Sequence, residues 1–87
     1  MYYVYVLQSL DSEKKQYIGY TADLRRRLRQ HNSDKNSGYT RGRKWKLVYY
    51  ESYLSEEDAR IREKRLKADG RARRQLIARI ENSLSVD

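Results

Sequence analysis

Tyrosine, arginine and histidine can each handle a phosphate, and in this 87-residue chain they concentrate in one stretch: Tyr17-Ile18-Gly19-Tyr20-Thr21-Ala22-Asp23-Leu24-Arg25-Arg26-Arg27-Leu28-Arg29-Gln30-His31. His31 is the only histidine. On a helix, Arg27 and His31 stand at i, i+4 and project together, beside an apolar side made by Leu24 and Leu28. A guanidinium suits a phosphate whose charge spreads over its oxygens. Arg27 would otherwise be one more solvated arginine, like Arg25, Arg26 and Arg29. His31 has two readings, a proton relay near neutral pH or a cap on the last helical carbonyls.

Two tyrosines and one carboxylate extend this set. Tyr5 and Tyr17 are either ordinary strand aromatics or part of a base. With an ordinary pKa near 10, only about one tyrosine in a thousand is ionised at pH 7. A tyrosine base therefore needs a cation beside it, which Arg27 and a metal could supply. Glu63 stands four residues before Lys67, the favourable order for an intrahelical ion pair. Its other reading is the lone ligand of a hard divalent ion such as Mg²⁺, which keeps most of its waters. The segment from Gly38 to Lys46 carries Thr40, Arg41, Arg43 and Lys44. It reads as a phosphate-tracking loop or as a basic linker.

Composition narrows the partners. Twenty Lys and Arg against 12 Asp and Glu leave a formal charge of +8. That favours a polyanion, nucleic acid first and acidic membrane second, with plain solubility as the other reading. No Cys is present, which excludes disulfides and thiolate metal sites. Nine tyrosines carry hydroxyls that need partners when buried, which points to a wet cleft. No positive-then-apolar leader opens the chain. No apolar run approaches the roughly 20 residues that span a bilayer. The expectation is a soluble cytoplasmic protein without a membrane partner.

The elements that must position these residues follow from periodicity. Tyr2 to Gln8 is β-branched and aromatic on both alternating faces, the pattern of a strand covered on both sides. Gln16 to Tyr20 forms a hairpin with it, Tyr17 and Gly19 on one face and Ile18 and Tyr20 on the other. Thr21 is the expected N-cap of the first helix. A long polar loop runs from Asn32 to Lys44. A third strand runs from Trp45 to Tyr53, with Trp45, Leu47 and Tyr49 on one face and Val48 and Tyr50 on the other. Ser55 caps a second helix whose inner stripe is Ala59, Arg62, Glu63 and Leu66. Ile61 and Ala68 are expected to meet a further helix. After Asp69-Gly70, Ala72, Leu76, Ile77, Ile80 and Leu84 mark a third helix. Together these give an α+β domain over residues 1–84, with a three-stranded antiparallel sheet flanked by three helices in the order β-β-α-β-α-α. Residues 85–87 form a frayed tail.

Tyr3-Val4-Tyr5, then eleven residues, then Tyr17-Ile18-Gly19, an arginine on the next helix and a glutamate on a later one resemble the GIY-YIG nuclease domain. The likeness covers nearly the whole chain and is nearest to the small stand-alone bacterial members. His31-Asn32 followed by Gly38-Tyr39-Thr40-Arg41-Gly42-Arg43 and Trp45 also resembles the catalytic domain of GIY-YIG structure-specific endonucleases, which cut branched DNA. The resemblance implies the β-β-α-β-α-α fold and a metal-dependent DNA endonuclease, with Tyr17 as general base and Tyr5 holding that base or the water. Arg27 would stabilise the pentavalent phosphate and His31 would lie near it. Glu63 would be the single protein ligand of one Mg²⁺ or Mn²⁺, and Gly19 would let the backbone pass close to substrate. Branched or nicked DNA is the implied partner, linked to DNA repair or recombination, with RNA a further candidate. Tyr3 departs from the family's first glycine, and only Gln75 or Arg74 offer a polar contact on the last helix. The alternative function is a nucleic-acid-binding module with little or no catalysis, acting with a protein partner.

Overall fold

Tyr-Tyr-Val-Tyr-Val-Leu offers water no polar face, and in the computed structural model this run is the central strand. The structure describes residues 1–33 and 38–86. Residues 34–37, within the expected long loop, and Asp87, within the expected tail, lie outside the described residues. Strand β1 (Tyr2–Ser9) lies between β2 (Gln16–Thr21) and β3 (Trp45–Tyr53), antiparallel to both. Val4, Tyr5, Val6 and Leu7 are all buried, so consecutive residues serve opposite faces. Each fully buried aliphatic side chain contributes about 1.5–3 kcal/mol relative to exposure.

The two faces are covered differently. Tyr5, Leu7 and Trp45 pack with Tyr17, Leu47, Leu24 and Leu28, the last two from α1 (Leu24–His31). On the other face Val4, Val6 and Ile18 meet Ala59 and Leu66 of α2 (Glu56–Ala68) and Leu76 of α3 (Gly70–Arg79). Ile80 and Leu84 join this second cluster, Leu84 from the short helix α4 (Glu81–Leu84). The expected third helix is thus interrupted at Ile80 into α3 and one further turn. No helix among the described residues is long and apolar enough to cross a membrane.

Helix ends follow side-chain chemistry. Ser55 accepts from the Asp58 N–H, with Glu56, Glu57 and Asp58 in the first turn of α2. Asp69 ends α2 and caps α3, accepting from the Arg71 and Ala72 N–H groups. At α1 the cap is Asp23, not Thr21: Asp23 accepts from Arg26 N–H. Thr21 instead folds the approach, its Oγ1 accepting from Asp23 N–H at 3.0 Å.

Two face assignments change. The β1–β3 pairing slips between Val6 and Leu7, so Leu7 faces Leu47 while Val6 faces Tyr49. This bulge at Val48 inserts one residue and exchanges the faces beyond it. Tyr49 therefore packs with Val48 on the α2 side, and Tyr50 meets Tyr3 edge-on at 5.8 Å. On α2, Ile61 is 52% exposed and Ala68 is exposed, so neither is buried by helix packing as expected.

The exchange gathers Tyr49, Glu51 and Tyr53 opposite Arg62. Arg62 Nε donates to Glu51 Oε1 at 2.6 Å, and both tyrosine hydroxyls donate to the same carboxylate. Burial pushes the Glu51 carboxyl up, but the bonds from Arg62, Tyr49 and Tyr53 outweigh it and hold it below its ordinary value. A depressed carboxylate adds stability above its unfolded pKa and loses it as pH falls through the folded one. Glu51→Gln should therefore cost about 1–3 kcal/mol at pH 7. The variant should also lose less stability than the wild type on going from pH 7 to pH values below the folded pKa, as denaturant titrations at both ends of that window will measure.

Candidate active site

Tyr5 sits opposite Gly19 in the β1–β2 ladder. A Cβ on Gly19 would lie 2.4 Å from the Tyr5 Cζ and hydroxyl and 3.0 Å from Tyr17 Cε2. The missing side chain thus makes room for the Tyr5 ring, a role the expectation of close substrate approach did not include. Across that space, the Tyr5 hydroxyl bonds His31 Nε2 at 2.7 Å. Besides burial, Tyr17 and Glu63 raise the pKa of the same hydroxyl electrostatically, and Arg27 lowers it. Tyr5 is thus bonded to His31 and lies within electrostatic reach of Tyr17, Arg27 and Glu63.

Protonation follows from this setting. Burial, then the neighbouring Tyr17, pushes the Tyr5 phenol far up; Arg27 offsets only part of the shift. Tyr5 stays neutral and acts as a donor, not a base. Burial, then the Arg27 charge, pushes His31 down, so its ring is neutral at physiological pH. With the Tyr5 proton directed at Nε2, the ring proton of His31 belongs on Nδ1. There it donates to Thr40 Oγ1 at 2.8 Å.

The loop after α1 is built to hold this histidine. Thr40 is buried, and its carbonyl accepts from Trp45 Nε1 at 3.0 Å. Asn32 extends the sheet with its side chain: Oδ1 accepts from the Trp45 N–H at 2.6 Å and Nδ2 donates to the Trp45 carbonyl at 3.0 Å. Thr40 is thus a positioning residue for His31. The three basic residues expected to bind substrate differ from one another. Arg43 pairs with Asp11 at 2.5 Å and Glu13 at 3.2 Å, tying the loop to the β1–β2 turn. Lys44 Nζ donates to the Asn32 carbonyl at 2.6 Å. Arg41 is exposed.

Helices from opposite sheet faces meet at the β2 edge. Tyr17 lies on the α1 face, 5.1 Å from the His31 ring and 6.4 Å from that of Tyr5. From α2, Lys67 reaches over the Tyr17 ring, 5.4 Å from its centroid. The same ammonium pairs with Glu63 Oε2 at 3.2 Å, so the intrahelical pair read from the sequence is formed. Arg27 is half-buried on α1, whereas Arg25, Arg26 and Arg29 are exposed.

No group of three or more His, Asp or Glu side chains among the described residues could cage a metal ion. Glu63 alone offers a half-buried carboxylate beside the tyrosines. This donor set fits a hard, largely hydrated ion such as Mg²⁺ or Mn²⁺, which needs one or two carboxylates plus phosphate oxygens.

The sequence reading missed three residues. A groove of about 350 Å³ is lined by Gln16, Tyr17, Ile18, Tyr39, Lys67 and Arg73. Lys67 was visible only as the partner of Glu63. Tyr39 stood within the Gly38 to Arg43 motif, which gave it no role of its own. Arg73 had no signal: its Nη1 donates to the Leu66 and Lys67 carbonyls at 3.0 and 3.1 Å, which brings a last-helix cation to the groove. Gln75 and Arg74, the expected contacts, are exposed and do not line it.

A GIY-YIG catalytic domain model matches residues 1–76, which include every residue discussed at this site. The chain is 45% identical over 74 residues to a UPF0213 protein of Streptococcus pneumoniae, covering 84% of this chain and 73% of that one. It is 37% identical over 78 residues to a UPF0213 protein of Haloquadratum walsbyi, covering 88% and 85%. The solution NMR structure of the UPF0213 protein BH0048 from Bacillus halodurans is 37% identical, with a TM-score of 0.55 over 90% of this chain and 84% of that one.

Two measurements check the site's construction. Gly19→Ala should displace the Tyr5 ring and destabilise the fold by about 1–3 kcal/mol in denaturant unfolding, the usual cost of overpacking. His31, as the only histidine, gives an unobscured ring-proton NMR titration. Its midpoint should fall below the ordinary 6.5 and move up in Arg27→Ala.

Proposed function

The chain belongs to the GIY-YIG catalytic-domain family, and from that membership we propose that it is a divalent-metal-dependent endonuclease hydrolysing DNA phosphodiester bonds. The observation that carries this reading is the buried hydroxyl of Tyr5, which bonds His31 Nε2 at 2.7 Å and has Arg27, Tyr17 and Glu63 in its electrostatic surroundings. Family membership alone gives a nucleic acid as substrate; the residue roles below are our assignment.

In this mechanism Tyr17 is the general base that takes a proton from water. The water oxygen bonds to phosphorus while the bond from phosphorus to the 3′-oxygen breaks. The 3′-oxygen leaves with the electron pair and is protonated by solvent, giving a 3′-hydroxyl and a 5′-phosphate. Arg27 binds the non-bridging oxygens, whose charge grows in the transition state, and preorganised donors of this kind dominate such catalysis. Tyr5 holds His31 in register and keeps its own proton. A Mg²⁺ or Mn²⁺ ion held by Glu63 would supply positive charge beside the leaving oxygen.

Branched or nicked DNA, as arises in repair and recombination, is the substrate class we favour. Its support is the likeness of the His31 to Trp45 segment to structure-specific endonucleases, together with the bonds that tie Thr40 and Trp45 to His31. A cytoplasmic location goes with this reading. A protein partner would add further target choice.

Nicking of supercoiled plasmid with Mg²⁺ tests the proposal. Wild type should nick, and Glu63→Ala and Arg27→Ala should each be slower by at least about 100-fold, the loss expected for a transition-state charge partner. Equal rates in all three would overturn it. Tight, salt-sensitive binding with no cleavage of any branched DNA or matched RNA would favour the non-catalytic module instead.

A further inference from the structure

Two tyrosines leave more than half of their surface in water, Tyr39 at 59% and Tyr50 at 52%. Their settings differ. Tyr50 shares a groove with Tyr3, Ala22, Asp23, Leu24 and Arg25, where one acid balances one base. Tyr39 lies beside Tyr17, with Arg73 and Lys67, the latter paired with Glu63, in the same groove. We infer that Tyr39 is a stacking platform for an unpaired nucleobase of the DNA substrate, next to the scissile phosphate. The inference rests on the nuclease reading for the position of that phosphate.

Ring geometry supports the platform. Tyr39 stacks on Tyr17 with centroids 6.0 Å apart and planes inclined by 21°. Trp45 braces it at 6.2 Å. One side of the ring is therefore backed by aromatic surface while the rest stays open to solvent. The backbone beneath makes a tight turn. Gly38 turns the chain at φ +80°, in the left-handed region that glycine favours. On the other side Thr40 is buried and bonded to His31 and Trp45. Tyr39 is thus an exposed ring next to a buried residue held by two hydrogen bonds, which limits the cost of ordering it on binding.

An aromatic face flanked by cations suits single-stranded nucleic acid: the ring takes a base and the cations take flanking phosphates. A paired base keeps its faces against neighbours in the duplex, so it cannot use this surface without unstacking. A base at a flap or branch point offers its face at little cost. Tyr39 therefore becomes a specificity residue, favouring sites where the nucleotide beside the cut is unpaired.

The test uses a DNA flap with 2-aminopurine at the first unpaired nucleotide, a matched full duplex, and full-length wild type, Tyr39→Phe and Tyr39→Leu. Binding is measured without divalent metal, so that it does not depend on cleavage. Thermal melts establish that the variants fold. Wild type and Tyr39→Phe should quench the 2-aminopurine fluorescence and bind the flap more tightly than the duplex. Tyr39→Leu should lose the quenching and reduce the flap-to-duplex affinity ratio roughly 10-fold, within the range of one base–aromatic stack. Equal quenching and equal ratios in wild type and Tyr39→Leu overturn the inference, as does a wild type that never quenches. A matched RNA flap bound more tightly than DNA overturns its assignment to DNA. Adding Mg²⁺ to the same samples reads cleavage separately. Tyr39-dependent quenching without cleavage keeps the platform and removes the nuclease reading, whereas cleavage without Tyr39-dependent quenching does the reverse.

Discussion

A phenol buried in the middle strand of a sheet must find partners for its hydroxyl, since an unsatisfied polar group there costs several times a net hydrogen bond. Tyr5 is that phenol, and much of the structure answers its demand. Gly19 gives up its side chain for the ring. His31 at the end of α1 bonds the hydroxyl, and the charge of Arg27, one helical turn earlier, acts on it. His31 in turn needs an acceptor at Nδ1, which Thr40 supplies. Thr40 is held by the Trp45 indole, and Trp45 by the Asn32 side chain. The chain of bonds runs from the sheet through α1 and back to the start of β3. Solubility and stability alone would be served as well by a phenylalanine at position 5, without any of these partners.

The same network decides between readings that the sequence left open. His31 is the last residue of α1, where a cap on the helix carbonyls was one expectation. The backbone of Asn32 serves those carbonyls instead, its N–H donating to Leu28 and Gln30. The ring is left for Tyr5 and Thr40. Its depressed affinity for a proton follows from burial and from Arg27, which already holds positive charge beside it. A proton relay at this position would have to take up charge against both. A neutral, oriented imidazole that bonds Tyr5 and Thr40 fits the environment better than one that titrates during turnover.

What was legible in the sequence was what depends on local pattern. The unbroken apolar run of β1, the Ser55 cap, the Asp69 corner and the i, i+4 relation of Arg27 to His31 are all set within a few residues. What was not legible depends on pairing across the chain. The bulge at Val48 leaves no signature in Trp45-Lys46-Leu47-Val48-Tyr49-Tyr50, yet it reverses the faces of Tyr49 and Tyr50 and so creates the Glu51–Arg62 clamp. Thr21 and Asp23 are both good capping residues, and only the direction of the chain leaving β2 chooses between them. Lys67 and Arg73 reach the cleft because α2 and α3 wrap the β2 edge, a consequence of packing that no spacing rule encodes.

The formal charge of +8 is shared between architecture and cleft. Arg43 ties the loop to Asp11 and Glu13, Arg62 is held by Glu51, and Arg60 pairs with Glu56 while lying over the Tyr20 ring. These cations are engaged by their own chain before any ligand arrives. Arg25, Arg26, Arg29 and Arg41 stand exposed and can attract a polyanion over distances near the Debye length, about 8–10 Å at physiological salt. Lys67 is likewise paired with Glu63 while lying over the Tyr17 ring, Arg73 is bonded to the Leu66 and Lys67 carbonyls, and Arg27 is half-buried on α1 beside Tyr5. An exposed arginine loses its hold as salt rises, whereas a half-buried cation such as Arg27 keeps much of it. Long-range attraction and local recognition are therefore carried by different residues, so salt should weaken encounter with a polyanion more than it weakens contact at the cleft.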